Sequence, residues 1–217
     1  MEEQKPKQLL THVEARIIGC LMEKQHTTPG TYPLTFNALT NACNQKSNRD
    51  PVMKLSPGEV EHTVKELDLR GLVRIDYGDR ANRVSQRMST TYDLDKNKQA
   101  LLSVLMLHYP QTLGDLRRRT ERIIDWADNT EIELILLELM ELDQPLVVLI
   151  PKAEGRREDR YAHTLCGEID AKQLEMIKTS PSHHSSEIKS DRLEELELRV
   201  TALEMSMQKL LGSEPSE

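Results

Sequence analysis

The stretch LSPGEVEHTVKELDLRGLVRIDY (55–77) changes its hydrophobic period halfway along, and that change decides the fold. Ser56 is placed to cap a helix, Pro57 takes its first position, and Glu59, three residues on, completes a capping box. Leu55 can staple onto Val60 from outside the cap. Val60, Val64 and Leu67 then recur at helical spacing. Gly71 supplies the left-handed stop after Arg70. From Leu72 to Tyr77 the period falls to two, as in a strand. Residues 78–82 read as a turn and Arg83–Met88 as the returning strand.

Two more helices precede this unit. Thr11 and Glu14 form another capping box, followed by Val13, Ile17 and Leu21, with Ile18 widening the apolar face. That helix should end near Gln25, because TTPG (27–30) cannot continue it. Pro33-Leu34-Thr35 opens a shorter helix through Phe36, Leu39 and Ala42. Three helices followed by two strands about a polar turn is the outline of a winged helix.

The same order recurs downstream. Asp95 or Asn97 caps a helix carrying Leu101, Leu102, Leu105 and Met106, which Pro110 ends. Thr112–Arg122 is the next helix, with Leu113 and Leu116 inward and Arg117, Arg118, Arg119 and Arg122 largely outward. Asp128 or Thr130 caps a third, whose core face is Ile132, Ile135, Leu136, Leu139 and Met140. Leu146–Ile150 is β-prone, Lys152–Asp159 a polar turn, and Arg160–Cys166 the return strand. The expected fold is mainly α with small β-wings (α+β). It comprises two tandem winged-helix domains, 1–94 and 95–169, a linker at 170–190 and an amphipathic or coiled-coil helix at 191–211.

In that tail Leu193, Leu196, Val200, Leu203, Met207 and Leu210 mark a short heptad seam. With Leu193 at position a, a parallel pair would set Arg192 against Glu197 and Arg199 against Glu204 of a second copy. The expectation is a homodimer, against the alternative of a helix packed on its own chain.

Aromatic residues make up only 3% of the chain, which favours two small aliphatic cores over one large one. No apolar run approaches the ~20 residues needed to cross a membrane, and MEEQKPKQLL is no secretory signal. Cys20, Cys43 and Cys166 are odd in number and far apart in sequence, as in a cytoplasmic protein with reduced thiols. The net charge of −7 is uneven: +2 over residues 1–92, −6 over 93–170 and −3 over 171–217. If a polyanion is bound, the first unit is the better candidate.

The candidate nucleic-acid contacts follow from that charge. Asn44, Gln45, Lys46, Ser47, Asn48 and Arg49 place amides, a hydroxyl and two cations in six residues, chemistry suited to phosphates and base edges. The same loop could instead satisfy its own backbone. The first wing offers Arg80, Asn82, Arg83 and Arg87, the second Arg156, Arg157 and Arg160. The third helices argue against DNA reading. The first holds Glu59, Glu61, Glu66 and Asp68 against Lys65 and Arg70. The second, over 130–142, holds Glu131, Glu133, Glu138 and Glu141 with no Lys or Arg. No Gly-rich phosphate loop or nucleophile elbow is present, and His163 with Cys166 lacks a second ligand pair. Neither an enzyme, a cofactor nor a metal is therefore expected.

EARIIGCLMEK (14–24), TYPLTFNALTNACNQKSNRDPVM (31–53) and GRREDRYAHTLCGEI (155–169) resemble the YceH family of uncharacterised bacterial proteins. The resemblance covers about residues 10–169. It implies a tandem winged-helix fold in a cytoplasmic bacterial protein, and no established activity. The positions most distinctive of it are Asn41, Cys43 to Arg49 and Pro51, with Gly155, Arg156, Arg157, Tyr161 and His163. Two functional expectations stand together: a DNA-associated protein or regulator using the first domain, and a scaffold for protein partners that does not touch DNA.

Overall fold

The computed structural model describes residues 9–108, 110–152 and 158–167. Within them helices alternate with two small antiparallel sheets, a mixed α and β architecture. The first half holds α1 (His12–Thr27), β1 (Leu34–Thr35), α2 (Phe36–Cys43), α3 (Pro57–Leu69), β2 (Val73–Asp76) and β3 (Arg83–Gln86). A short helix, α4 (Met88–Thr91), leads on to α5 (Lys96–Leu107), α6 (Leu113–Thr120), α7 (Asn129–Met140), β4 (Val147–Ile150) and β5 (Arg160–His163). The helix–helix–helix–strand–strand order read from the sequence is thus present twice.

Local chemistry sets the helix starts. The Thr11 N–H donates to Glu14 Oε2 at 2.7 Å while the Glu14 N–H donates to Thr11 Oγ1 at 3.2 Å. Ser56 and Glu59 close the equivalent box on α3 at 2.7 and 3.2 Å. Each box satisfies two of the amides that a helix leaves without a partner. Asp95, Thr112 and Asp128 cap α5, α6 and α7. Gly71 follows α3 at φ +71°, where an L side chain would be strained, and the chain then enters β2.

The sheets also correspond. The first has the order β1-β3-β2, with Leu34 opposite Val84 and Ile75 also opposite Val84. In the second, β4 pairs with β5, and Gln111 bridges Tyr161 through backbone bonds of 3.0 and 2.8 Å. Thr35 and Thr112, each next to a bridging residue, cap the helix that follows.

In place of two separate aliphatic cores, the buried side chains of both halves form one continuous interior. At its centre α1 and α5 are buried over most of their circumference, from Glu14 to Met22 and from Gln99 to Leu107. Gly19 allows the close approach: a Cβ there would lie 3.1 Å from Leu107 Cγ and from Met106 Cβ. Backbone bonds reinforce the join, from the Leu10 N–H to the Leu165 carbonyl (2.8 Å) and from the Asp50 N–H to the Leu107 carbonyl (2.9 Å). The expected linker at 170–190, the coil at 191–211 and its seam Leu193, Leu196, Val200, Leu203, Met207 and Leu210 lie outside the described residues.

Candidate functional site

The polar loop after α2 is built from both ends. The Asn44 amide makes two bonds to one backbone unit: its Nδ2 donates to the Leu55 carbonyl and its Oδ1 accepts from the Leu55 N–H, both at 2.7 Å. Gln45 is half-buried, whereas Lys46, Ser47 and Asn48 are exposed, with Asn48 at φ 56°. Arg49 then turns inward and is only 4% exposed. Its Nε donates to the Ala42 carbonyl at 3.0 Å and its Nη1 to the Asn48 carbonyl at 2.6 Å. Its Nη1 and Nη2 also meet the two carboxylate oxygens of Glu23 at 3.3 and 2.6 Å.

This corrects the expectation for Arg49. With every arm of its guanidinium engaged below the surface, it is not presented to a phosphate. The loop divides into an exposed tip, 46–48, and a buried anchor. A second correction concerns α6. Arg119 is half-buried, its Nε donating to Gln111 Oε1 at 2.8 Å, with its Nη1 3.4 Å from His108 Nε2. Arg117 and Arg118 are exposed as expected, but Arg118 is paired with Asp115 at 2.7 Å and Arg117 donates to Asn129 Oδ1 at 3.3 Å.

Arg80, Arg83 and Arg87 are exposed on and beside the first wing. Arg83 is partly held there, its Nη1 donating to the Pro33 carbonyl at 2.6 Å. Arg74, on β2, pairs with Asp76 at 2.8 Å. Arg156 and Arg157 lie outside the described residues, while Arg160 is half-buried and donates to the Pro110 carbonyl at 2.8 Å.

The third helices present the surface their sequences imply. On α3 the exposed charged residues are Glu59, Glu61, Lys65 and Glu66, and the Lys65 ammonium sits 2.7 Å from Glu61. Arg70, at its end, reaches Glu14 at 2.6 Å. On α7 the exposed row is Glu133, Leu134, Leu137, Glu138 and Glu141, continued by Leu142. Leu134, Leu137 and Leu142 are 58%, 46% and 40% exposed. Three large aliphatic side chains in water among carboxylates is an unusual surface for one short helix.

One constellation lay outside the sequence reading. Arg16, Cys20 and Glu23 occupy one side of α1, and Cys43 ends α2 with its thiol in hydrogen-bond contact with Cys20. Arg16 is 1% exposed; its Nη2 donates to the Pro51 carbonyl at 2.6 Å, while Nε and Nη1 have no hydrogen-bond partner. Burial acts to push the Cys20 thiol up. The Cys43 hydrogen bond and the Arg49 and Arg16 charges outweigh burial and the opposing Glu23 charge, so the net shift is downward. The hydrogen bond to Cys20, with burial and the Cys20 charge, drives Cys43 the other way. The available signal was the 16/20/23 spacing: a cation, a thiol and a carboxylate on one side of a helix otherwise rich in apolar residues.

Among the described residues no helix is long and apolar enough to cross a membrane, and no cluster of three or more His, Cys, Asp or Glu could hold a metal. Residues 10–156 match the model of a family described as a protein of unknown function, DUF480. A UPF0502 protein of Cellvibrio japonicus is 46% identical over 202 residues, covering 93% of this chain and 91% of its own. Relatives of the same name come from Stenotrophomonas maltophilia strain K279a (41% over 208 residues, 94% and 95% covered) and Vibrio campbellii (43% over 198 residues, 88% and 89% covered). With near full-length identity to these bacterial proteins and a family match spanning both sheets' helices, the chain belongs to the uncharacterised DUF480 family.

Proposed function

We propose that this chain is a non-enzymatic binding protein built from two tandem winged helices, and that α7 is its working face for a protein partner. The observation that carries this reading is the exposed row Leu134, Leu137 and Leu142 set among Glu133, Glu138 and Glu141. In a winged helix that reads DNA, the third helix enters the major groove. Here carboxylates would meet phosphates, an unfavourable arrangement at any salt concentration that leaves charges unscreened. The surface suits instead a partner helix with aliphatic anchors flanked by Lys or Arg.

The test uses an amphipathic helical peptide of Leu and Lys as probe, titrated onto the full chain. Binding should weaken at least tenfold in Leu134→Ser with Leu137→Ser, with the fold intact by circular dichroism. Equal binding by the double variant would remove α7 from the proposal.

A DNA-associated role is the second reading, favoured by the exposed cations Lys46, Arg80, Arg83 and Arg87. It needs no help from Arg49. Affinity for random duplex should then fall steeply with salt, and Arg80→Ala with Arg87→Ala should flatten the slope by about 2. An absence of binding at low salt would leave the protein-partner reading alone.

A further inference from the structure

The loop after α2 does not satisfy its own backbone. The Asn44 N–H closes α2 on the Thr40 carbonyl at 3.1 Å, and the Asp50 N–H reaches the Leu107 carbonyl at 2.9 Å. Between them, the N–H groups of Gln45, Lys46, Ser47, Asn48 and Arg49 have no acceptor among the described residues. Both ends of this run are fixed. Asn44 holds the Leu55 backbone through two bonds of 2.7 Å, Arg49 spans Ala42, Asn48 and Glu23, and Arg16 Nη2 donates to the Pro51 carbonyl at 2.6 Å. A ligand met by these amides would therefore have little ordering left to impose.

Their direction follows from the anchors. The Asn48 carbonyl points inward, since it accepts from Arg49 Nη1 at 2.6 Å. In a trans peptide the N–H lies opposite the carbonyl, so the Arg49 N–H points away from its own buried guanidinium. Arg49 is only 4% exposed, and an N–H that neither bulk water nor protein serves well is costly. Asn48 lies in the left-handed region at φ 56°, and the chain bends through 46–48. A left-handed residue within a bend brings successive N–H groups round to one side, the geometry of an anion-binding nest. Lys46 is exposed beside it and forms no ion pair among the described residues. The neighbouring carboxylates are already answered by cations. Glu23 is held by Arg49 at 2.6 Å and lies 3.5 Å from Lys24, and Asp50 acts on Arg16 and Arg119.

We infer that residues 45–49 bind a phosphate monoester. The backbone N–H groups and the Ser47 hydroxyl meet its terminal oxygens, and the Lys46 ammonium balances its charge. A monoester offers three terminal oxygens and a charge of about −1.5 to −2 at neutral pH, which suits a run of amides with a cation. An internal phosphodiester has fewer free oxygens and less charge, and uses less of the run. α7 takes no part in such a site, and the interior of a duplex presents no monoester, so it stands apart from both readings of the function. A phosphorylated small molecule and the 5′-phosphate end of a strand share the group.

The experiment titrates the 15N-labelled full chain with inorganic phosphate at pH 7, holding ionic strength constant with potassium chloride. The amide resonances of residues 45–49 should move and saturate while those of α7 stay in place. Lys46→Ala should weaken the response about tenfold. Asn48→Gly keeps the left-handed backbone and every N–H, and should keep the response. Asn48→Val, β-branched and strained at this φ, should lose it. Should Asn48→Val not fold, the unaltered chain and Asn48→Gly decide. A 5′-phosphorylated oligonucleotide and its 5′-hydroxyl counterpart separate the sources. Response to the phosphorylated strand at lower concentration than to inorganic phosphate identifies strand ends; response at no lower concentration identifies a small phosphorylated molecule. Absence of any saturable movement at 45–49 would overturn the inference. So would equal movement by chloride alone, or by the 5′-hydroxyl strand.

Discussion

The Arg49 guanidinium makes a two-point pair with the Glu23 carboxylate, Nη2 donating to Oε2 at 2.6 Å and Nη1 to Oε1 at 3.3 Å, and so joins residues 26 positions apart. A cation placed by sequence among candidate DNA contacts thus serves as the tie between α1 and the loop 44–51. Its side chain is 0% exposed and that of Glu23 21%, so the pair is shielded from solvent on one side and reachable on the other.

Glu23→Ala leaves the Arg49 charge buried without its carboxylate, a change that typically costs about 3–5 kcal/mol. Partial exposure of Glu23 puts the expected loss at the lower end. Urea unfolding monitored by circular dichroism measures it. A loss under about 1 kcal/mol would mean that the Asn48 and Ala42 carbonyls hold Arg49 without help.

Gly19 tests the shared interior of the two halves. A Cβ would meet Met106 Cβ and Leu107 Cγ at 3.1 Å, and Met106 Cβ is fixed to the α5 backbone. Gly19→Ala gains about 1 kcal/mol of helix propensity. The overpacking it imposes costs about 1–3 kcal/mol. Net destabilisation is expected, in one unfolding transition seen by far-UV circular dichroism and by Trp126 fluorescence. Separate transitions for α1 and for the surroundings of Trp126 would show that the halves unfold independently.

The helix starts were legible because each is written within four residues. Thr11 with Glu14 and Ser56 with Glu59 cap as their sequence neighbourhoods imply, and of the alternatives at α5 and α7 it is Asp95 and Asp128 that cap; Pro33-Leu34-Thr35, read as a helix opening, instead holds β1, with Thr35 capping α2 from Phe36. The acidic face of α7 was legible for the same reason. Arg49 was not, because a polar loop gives no sign of which side chain turns back toward Glu23. The Cys20–Cys43 contact depends on how α2 crosses α1, a tertiary fact that thiol spacing does not encode. Arg119 differs from Arg117 and Arg118 only by facing Gln111, which the β5 bridge brings beside it. Burial of α1 over most of its circumference between Glu14 and Met22 likewise depends on α5, whose packing no local pattern in α1 announces.

The α3 box carries a pH dependence. The Glu59 carboxylate accepts from the Ser56 hydroxyl and N–H, and these bonds hold it below the ordinary carboxylate range. The unfolded chain therefore takes up this proton first as pH falls. The stabilisation is complete above the ordinary Glu value of about 4.3 and is lost as pH drops through the folded value. Stability should rise with pH across that window, and Glu59→Gln should flatten the slope there while leaving its shape above pH 6 unchanged. An identical slope in both proteins would show that Glu59 is not bonded in solution.

Leu136 and its neighbours on α7 separate packing from binding. Leu136 is fully buried, whereas Leu134 and Leu137 face water at 58% and 46% exposure. Truncating a buried leucine to alanine costs about 2–5 kcal/mol. Substitution at the exposed pair should stay within about 0.5 kcal/mol. Leu136→Ala should thus lower stability markedly while Leu134→Ser with Leu137→Ser leaves it nearly unchanged, as read from urea midpoints of the full chain. The double variant also removes the surface proposed to hold a partner, so its probe binding can fall with the fold intact. Were it as unstable as Leu136→Ala, the leucines would be covered by another part of the same chain, and α7 would have no free face to offer.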